Sequence, residues 1–174
     1  MVISELFKKF GSDKCISHSY QIFYDPFFKG LGEENPIDLL EIGIQYGSSL
    51  MAWKEYFPNG RIVGIDKVDV RRWKRPDVEF IITDVKNYTP DRQFDVIVDD
   101  GSHKPEDMVH SMLRLTKYLK PRGTMFIEDF HEDFVIPALE GLKKLEGKFI
   151  TEVMDLSRFQ NNPYDRLIII QSCL

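Results

Sequence analysis

Cysteine is scarce in this chain: only Cys15 and Cys173 occur, near opposite ends and in no C-x-x-C or metal-ligand spacing. That excludes a disulfide scaffold and a thiolate zinc site, and it points to a reducing cytoplasm. Long apolar runs are missing as well. No segment approaches the eighteen or so residues of a membrane span, and Lys8 and Lys9 are not followed by the apolar stretch of a secretory leader. The expectation is a soluble protein with no membrane partner. Basic excess is also lacking, since 23 Lys and Arg face 28 Asp and Glu for a net charge of −5. A nucleic-acid partner, whose phosphates need a basic face, is therefore not expected. The one basic run, Arg71 to Arg75, reads as a solvated helix or loop.

What is present suits one α/β unit with a real core. Its centre is Phe94 to His103, F-D-V-I-V-D-D-G-S-H. Val96, Ile97 and Val98 form a β-branched run typical of the middle of a parallel sheet. Such sheets bind ligands at the carboxyl ends of their strands, and there the chain offers Asp99, Asp100 and His103.

Earlier, Leu6, Phe7 and Phe10 share a helical face before Gly11-Ser12-Asp13 breaks the pattern. Lys14 to Phe28 mixes Lys14, His18, Tyr20 and Tyr24 with Phe23, Phe27 and Phe28, and reads equally as an aromatic helix packed on the domain or as a lid. Ile37 to Ile42 is the first strand, and a helix runs from about Ser48 to Phe57. Between them stand Glu41, Gly43, Gln45, Tyr46 and Gly47, a glycine turn that lets backbone N–H groups approach a ligand at the N-terminus of the helix that begins at Ser48. Its G-x-x-x-G spacing differs from the pyrophosphate-binding G-x-G-x-x-G.

A second strand, Arg61 to Ile65, ends at Asp66, where ribose-binding acids occur. A third, Val78 to Ile82, leads to Asp84, where an adenine amino group could be met. After the central strand, Pro105 opens a helix with Met108, Met112, Leu115 and Leu119 as its buried stripe. Lys120 to Gly123 ends it, and Thr124 to Ile127 is a fifth strand ending at Glu128 and Asp129. A helix from roughly Val135 to Leu145 precedes two last strands, Phe149 to Met154 and Leu167 to Gln171.

If the central and fifth strands are neighbours, Asp100, Glu128 and Asp129 converge. Such carboxylates must be neutralised by protonation, by basic side chains or by a metal ion. No basic partner is evident from spacing, and oxygen donors favour a hard divalent cation such as Mg²⁺. The competing reading makes these acids helix caps and turn residues.

The Glu41-x-Gly43-x-x-x-Gly47 turn, Asp66, Asp84 and the L-K-P-x-G turn before the fifth strand resemble a class I S-adenosylmethionine-dependent methyltransferase. More narrowly, D-D-G-S-H at Asp99 to His103, the Glu128-Asp129 pair, and Gly11-Ser12-Asp13-Lys14 followed by His18 and Tyr20 resemble metal-dependent sugar O-methyltransferases, such as those acting on macrolide deoxysugars. The resemblance runs from Leu6 to about Asp129 and implies a Rossmann-like, doubly wound, mostly parallel sheet in order 3-2-1-4-5-7-6 with the last strand antiparallel. It implies one domain over 1–174, with an N-terminal helix and lid-like segment over 1–35 and the core over 36–174. Asp100, Glu128 and Asp129 would hold Mg²⁺, or Mn²⁺ in its place, with His103 as general base. S-adenosylmethionine would be met by Lys14, Glu41, Gly43, Gln45, Tyr46, Gly47, Ser48, Asp66, Asp84 and Asp99. The macrolide enzymes carry an additional N-terminal region, so a homo-oligomer and a domain of a larger glycan-modifying protein both remain open.

The expected activity is methylation of a sugar or glycan hydroxyl. A catechol-type O-methyltransferase is the alternative within enzymes, and a non-catalytic nucleotide-binding module the alternative outside them.

Overall fold

The computed structural model describes residues 1–173, apart from the side chain of Leu139. Its seven strands are β1 (Asp38–Ile42), β2 (Arg61–Asp66), β3 (Glu79–Ile82), β4 (Phe94–Asp99), β5 (Leu119–Glu128), β6 (Phe149–Asp155) and β7 (Arg166–Ser172). They form one sheet in the order β3-β2-β1-β4-β5-β7-β6. β1 to β5 pair in parallel, while β7 runs antiparallel to both β5 and β6. The expected order and its reversed last strand are both observed.

Alternation along the strands divides two apolar layers. Leu39, Val96, Val98 and Phe126 face α1 (Ile3–Phe10), α2 (Gln21–Leu31) and α3 (Ser48–Tyr56). Leu40, Ile97, Met125 and Ile127 face α4 (Pro105–Leu115) and α5 (Val135–Lys143). A four-residue helix, α6 (Ser157–Gln160), lies in the polar connection before β7. Among the described residues no helix is long and apolar enough to cross a membrane.

Two local readings change. Leu119 does not extend the stripe of α4, which ends at Leu115; a tight turn over Thr116–Tyr118 intervenes and Leu119 opens β5 opposite Phe94. Lys120 to Gly123 does not precede β5 but lies within it, where the register with β4 shifts and Arg122 takes a φ of 62°. A β-bulge of this kind accommodates the extra residues without ending the ladder.

In the N-terminal segment, α2 is seated in the core. Tyr24 and Phe28 are fully buried, and the Phe28 ring centroid lies 4.7 Å from that of Trp53 and 6.2 Å from that of Phe126. Phe10 to Asp13 is a part of the segment that borders cavities. Phe28→Ala should therefore cost ~3–5 kcal/mol of unfolding free energy in urea titrations, the usual penalty for emptying a packed aromatic site. An unchanged midpoint would mean that α2 is detached from the core.

Candidate active site

The ends of β1, β2 and β4 are locked to one another by backbone. Gly43 donates its N–H to the Ile65 carbonyl at 2.9 Å, and Asp100 donates to the Ile42 carbonyl at 2.9 Å. Gly43 has a φ of 75°, and a Cβ there would stand 2.1 Å from the Asp100 carbonyl oxygen, so only glycine permits this approach. Asp66 closes the turn from the other side by accepting from the N–H groups of Ile44 at 3.0 Å and Gln45 at 3.2 Å.

Two cavities flank this turn. One, of about 160 Å³, lies between Gly43, Asp66, Thr83, Val85, Asp99 and Met108. The other, of about 460 Å³, is bordered by Gly43 to Tyr46, Ser48, Asp66, Asp100, His103 and Asp129.

Beneath the second cavity the strand-end carboxylates meet a lysine. The Lys14 ammonium lies 2.5 Å from Asp100 Oδ2, 2.6 Å from Glu128 Oε2 and 3.3 Å from Glu41 Oε1, and its side chain is 1% exposed. Only the first two contacts are hydrogen bonds; Glu41 Oε1 has none, and the 3.3 Å contact is electrostatic. Burial would lower the lysine pKa, but Asp100, Glu128 and Glu41 outweigh it and hold the ammonium well above its ordinary range. This is the basic partner that spacing did not disclose. Its only hint was a lysine in an otherwise polar turn, 86 residues before Asp100 in sequence.

Glu128 is engaged on both oxygens, accepting from the Tyr24 hydroxyl at Oε1 and from Lys14 at Oε2. Burial pushes its pKa well up, with Lys14 opposing. Asp129 faces the cavity instead. It takes the Tyr20 hydroxyl, returns its own N–H to that oxygen at 3.0 Å, and lies 3.1 Å from His18 Nδ1. Burial, with Asp100 nearby, raises its carboxyl to about 6. Burial works against the His18 imidazolium, but the neighbouring carboxylates of Asp165, 3.7 Å from Nδ1, and of Asp129 raise its pKa nonetheless. Neither the Tyr24 and Tyr20 hydroxyls nor His18 and Asp165 were assigned these partnerships from sequence, because each pairing spans more than a hundred residues.

The remaining expected site residues divide. Gly43, Gln45, Tyr46 and Ser48 border the larger cavity, Asp99 borders the smaller one, and Gly47 caps α3 with a φ of 81°. Glu41 is fully buried below the turn, accepting from Ser49 at 2.7 Å. Asp84 turns to the Lys67 ammonium at 3.2 Å and the Lys86 N–H at 2.9 Å, while its neighbours Thr83 and Val85 line the smaller cavity. Lys14 lies under the site, not in either cavity lining.

One atom each from Asp100, His103 and Asp129 lies within 4.8 Å of the others, a spacing on which a hard cation could be held through two carboxylates. His103 Nε2 is 3.9 Å from Asp100 Oδ1, and the imidazole is 40% exposed. Glu128 does not join that group. His103 and Asp129 both sit at positive φ, 55° and 58°, conformations that side chains other than glycine rarely adopt without support.

No family model matches the chain. Among curated proteins it is 30% identical over 145 residues to the 8-demethyl-8-alpha-L-rhamnosyl tetracenomycin-C 2'-O-methyltransferase of Streptomyces olivaceus, covering 75% of this chain and 38% of that enzyme. It is 32% identical to the L-olivosyl-oleandolide 3-O-methyltransferase of Streptomyces antibioticus, over 73% of this chain and 36% of that one. The chain thus spans less than two fifths of the length of these relatives. In solved structures, a mycinamycin-pathway methyltransferase in complex with Mg, SAH and mycinamycin VI superposes with a TM-score of 0.77 at 22% identity, over 99% of this chain and 54% of that one. A plantazolicin methyltransferase bound to a substrate analogue and SAH gives a TM-score of 0.62 at 15% identity, covering 98% of each chain. At these identities the superpositions show the fold.

Asp99 provides a pH test. Burial raises its carboxyl from 3.8 to about 6, against an opposing hydrogen bond from Ser111. The folded state therefore binds more protons than the unfolded one between these values, and this group's contribution to stability falls as pH rises through that window. Asp99→Asn should gain stability relative to the parent at pH 7.5 and lose that gain by pH 4.5 in paired urea titrations. A pH-independent difference would show Asp99 to be ionised throughout.

Proposed function

We propose that this chain, which belongs to the class I S-adenosylmethionine-dependent methyltransferases, transfers a methyl group from S-adenosylmethionine to a hydroxyl of a sugar or glycan. The observation that carries the reading is the meeting of Asp100, His103 and Asp129 in the same cavity as the glycine turn. The curated relatives act on sugar groups of natural products, which supports a small-molecule sugar acceptor. Residues 1–174 are taken as one methyltransferase domain.

The donor fits the strand ends as follows. The Gly43 turn would admit the methionine portion against bare backbone, and Asp66, with both carboxylate oxygens anchored to the loop, would meet the ribose. Thr83, Val85 and Met108 line the adjoining cavity for the adenine. Asp84, turned to Lys67, is not part of that cavity's lining.

Asp100 and Asp129, the carboxylates that face the cavity, would hold Mg²⁺, or Mn²⁺ in its place, which if bound would lower the pKa of a nearby hydroxyl. His103, exposed at the cavity edge, takes the hydroxyl proton as the acceptor oxygen attacks the methyl carbon and the bond from that carbon to the sulfonium sulfur breaks. Tyr20 and His18 orient Asp129 from behind, as partners of a ligand commonly do.

Labelled S-adenosylmethionine offered with a panel of sugar nucleotides, oligosaccharides and a catechol tests the assignment. A methylated sugar is expected, with activity lost in EDTA and in Asp129→Ala and restored to the parent by Mg²⁺. His103→Ala should lower turnover ~10²-fold while binding of S-adenosylhomocysteine is retained. Label on the catechol alone would replace the acceptor class, and full turnover in EDTA would remove the metal.

A further inference from the structure

The carboxylates of the site form two layers that share one residue. In the inner layer Lys14 is surrounded by Glu41, Glu128 and Asp100, with the lysine and both glutamates at most 1% exposed. In the outer layer Asp100, His103 and Asp129 face the cavity. Asp100 belongs to both: Oδ2 accepts from Lys14, while Oδ1 lies toward His103. Lys14 makes no contact with Asp129 within 4.0 Å among the described ion pairs.

We propose that Lys14 is a built-in cation of this cluster, which lets the chain fold without a divalent ion and makes an incoming divalent ion compete with an ammonium for Asp100. The proposal rests on the reading of Asp100 and Asp129 as metal-holding residues.

The physical case is one of charge balance. Three inner carboxylates without a counter-ion could not remain ionised at this burial, and stripping one partner from a buried ion pair is strongly unfavourable. One ammonium offsets one charge directly, and Tyr24 and Ser49 supply hydrogen bonds to the glutamates. A divalent ion on the outer layer adds positive charge beside that ammonium, and both draw on the two oxygens of Asp100. Their repulsion weakens ion binding, so the fold's independence of the metal is gained at the expense of metal affinity.

Lys14 is also delivered rigidly. It lies in the tight turn Asp13–Cys15, where the Asp13 carbonyl accepts from Ile16 at 2.9 Å, Ser17 at 2.9 Å and His18 at 3.1 Å. The ammonium is thus held in place by its own backbone as well as by its partners.

The test compares the parent with Lys14→Met by Mn²⁺ calorimetry and by thermal melts in EDTA and in Mn²⁺. The parent should be folded in EDTA, and Mn²⁺ should raise its melting temperature only by the small amount that its own weak Mn²⁺ affinity gives. Lys14→Met should melt much lower in EDTA, recover in Mn²⁺, and bind Mn²⁺ about tenfold tighter or more, because the competing charge is gone. Equal or weaker Mn²⁺ binding by folded Lys14→Met overturns the proposal. If Lys14→Met does not fold in either condition, the double variant Lys14→Met with Glu128→Gln removes one charge of each sign and should fold in EDTA; its failure to do so also overturns the proposal. A parent that binds no Mn²⁺ refutes the metal-holding reading itself, and this proposal with it, whereas parent binding without the Lys14→Met gain refutes this proposal alone.

Discussion

Glu41, Glu128 and Asp100 stand at or just beyond the ends of three adjacent strands, and the Lys14 ammonium reaches into the gap between them. The parallel pairing of β1, β4 and β5 brings Asp100 and Glu128 to one level with Glu41 two residues below them, and without a cation these carboxylates would force the strand ends apart or take up protons. The lysine comes from a segment that packs through a quite different interaction, the aromatic contacts of Tyr24 and Phe28 with Trp53 and Phe126. Apolar burial seats α2, and that seating sets the polar turn before it at the carboxylates. Each interaction depends on the other being in register.

Above this buried inner layer the loops are held in costly conformations. Gln45, His103 and Asp129 all have positive φ, at 39°, 55° and 58°, and all three border the larger cavity. Backbone bonds at the strand ends, the Asp66 carboxylate under Ile44 and Gln45, and the Tyr20 hydroxyl under Asp129 support them. Such conformations persist where the surroundings over-determine them, and they aim side chains that a relaxed loop would turn outward.

Much of this was legible in the residues. Val96 to Val98 marked a central strand, the Gly43 turn marked the strand-to-helix connection, and strand-end acids marked the face on which a site would lie. Local pattern carries such information because strand alternation and turn chemistry act over a few residues. The partners of the acids were not legible. Lys14, Tyr24 and Tyr20 reach Glu128 and Asp129 across more than a hundred residues, and the choice between a lysine and a metal as the neutralising charge is made by tertiary packing. Leu119 was misread for a local reason: its spacing continues the stripe of α4, yet one tight turn over Thr116–Tyr118 redirects it into β5.

The long reach of the N-terminal contacts has a consequence for synthesis. Lys14 meets Glu128 across 114 positions, and the Ser19 N–H meets the Asp165 carboxylate across 146. A ribosome releases the chain in the opposite order, at roughly 5–20 residues per second. The first helices therefore emerge many seconds before their partners, with Phe7, Tyr24 and Phe28 still uncovered and Lys14 still hydrated. The segment that carries Lys14 is thus made well before the strands that receive it, and its polar contacts close only once β5 and the connection before β7 are in place.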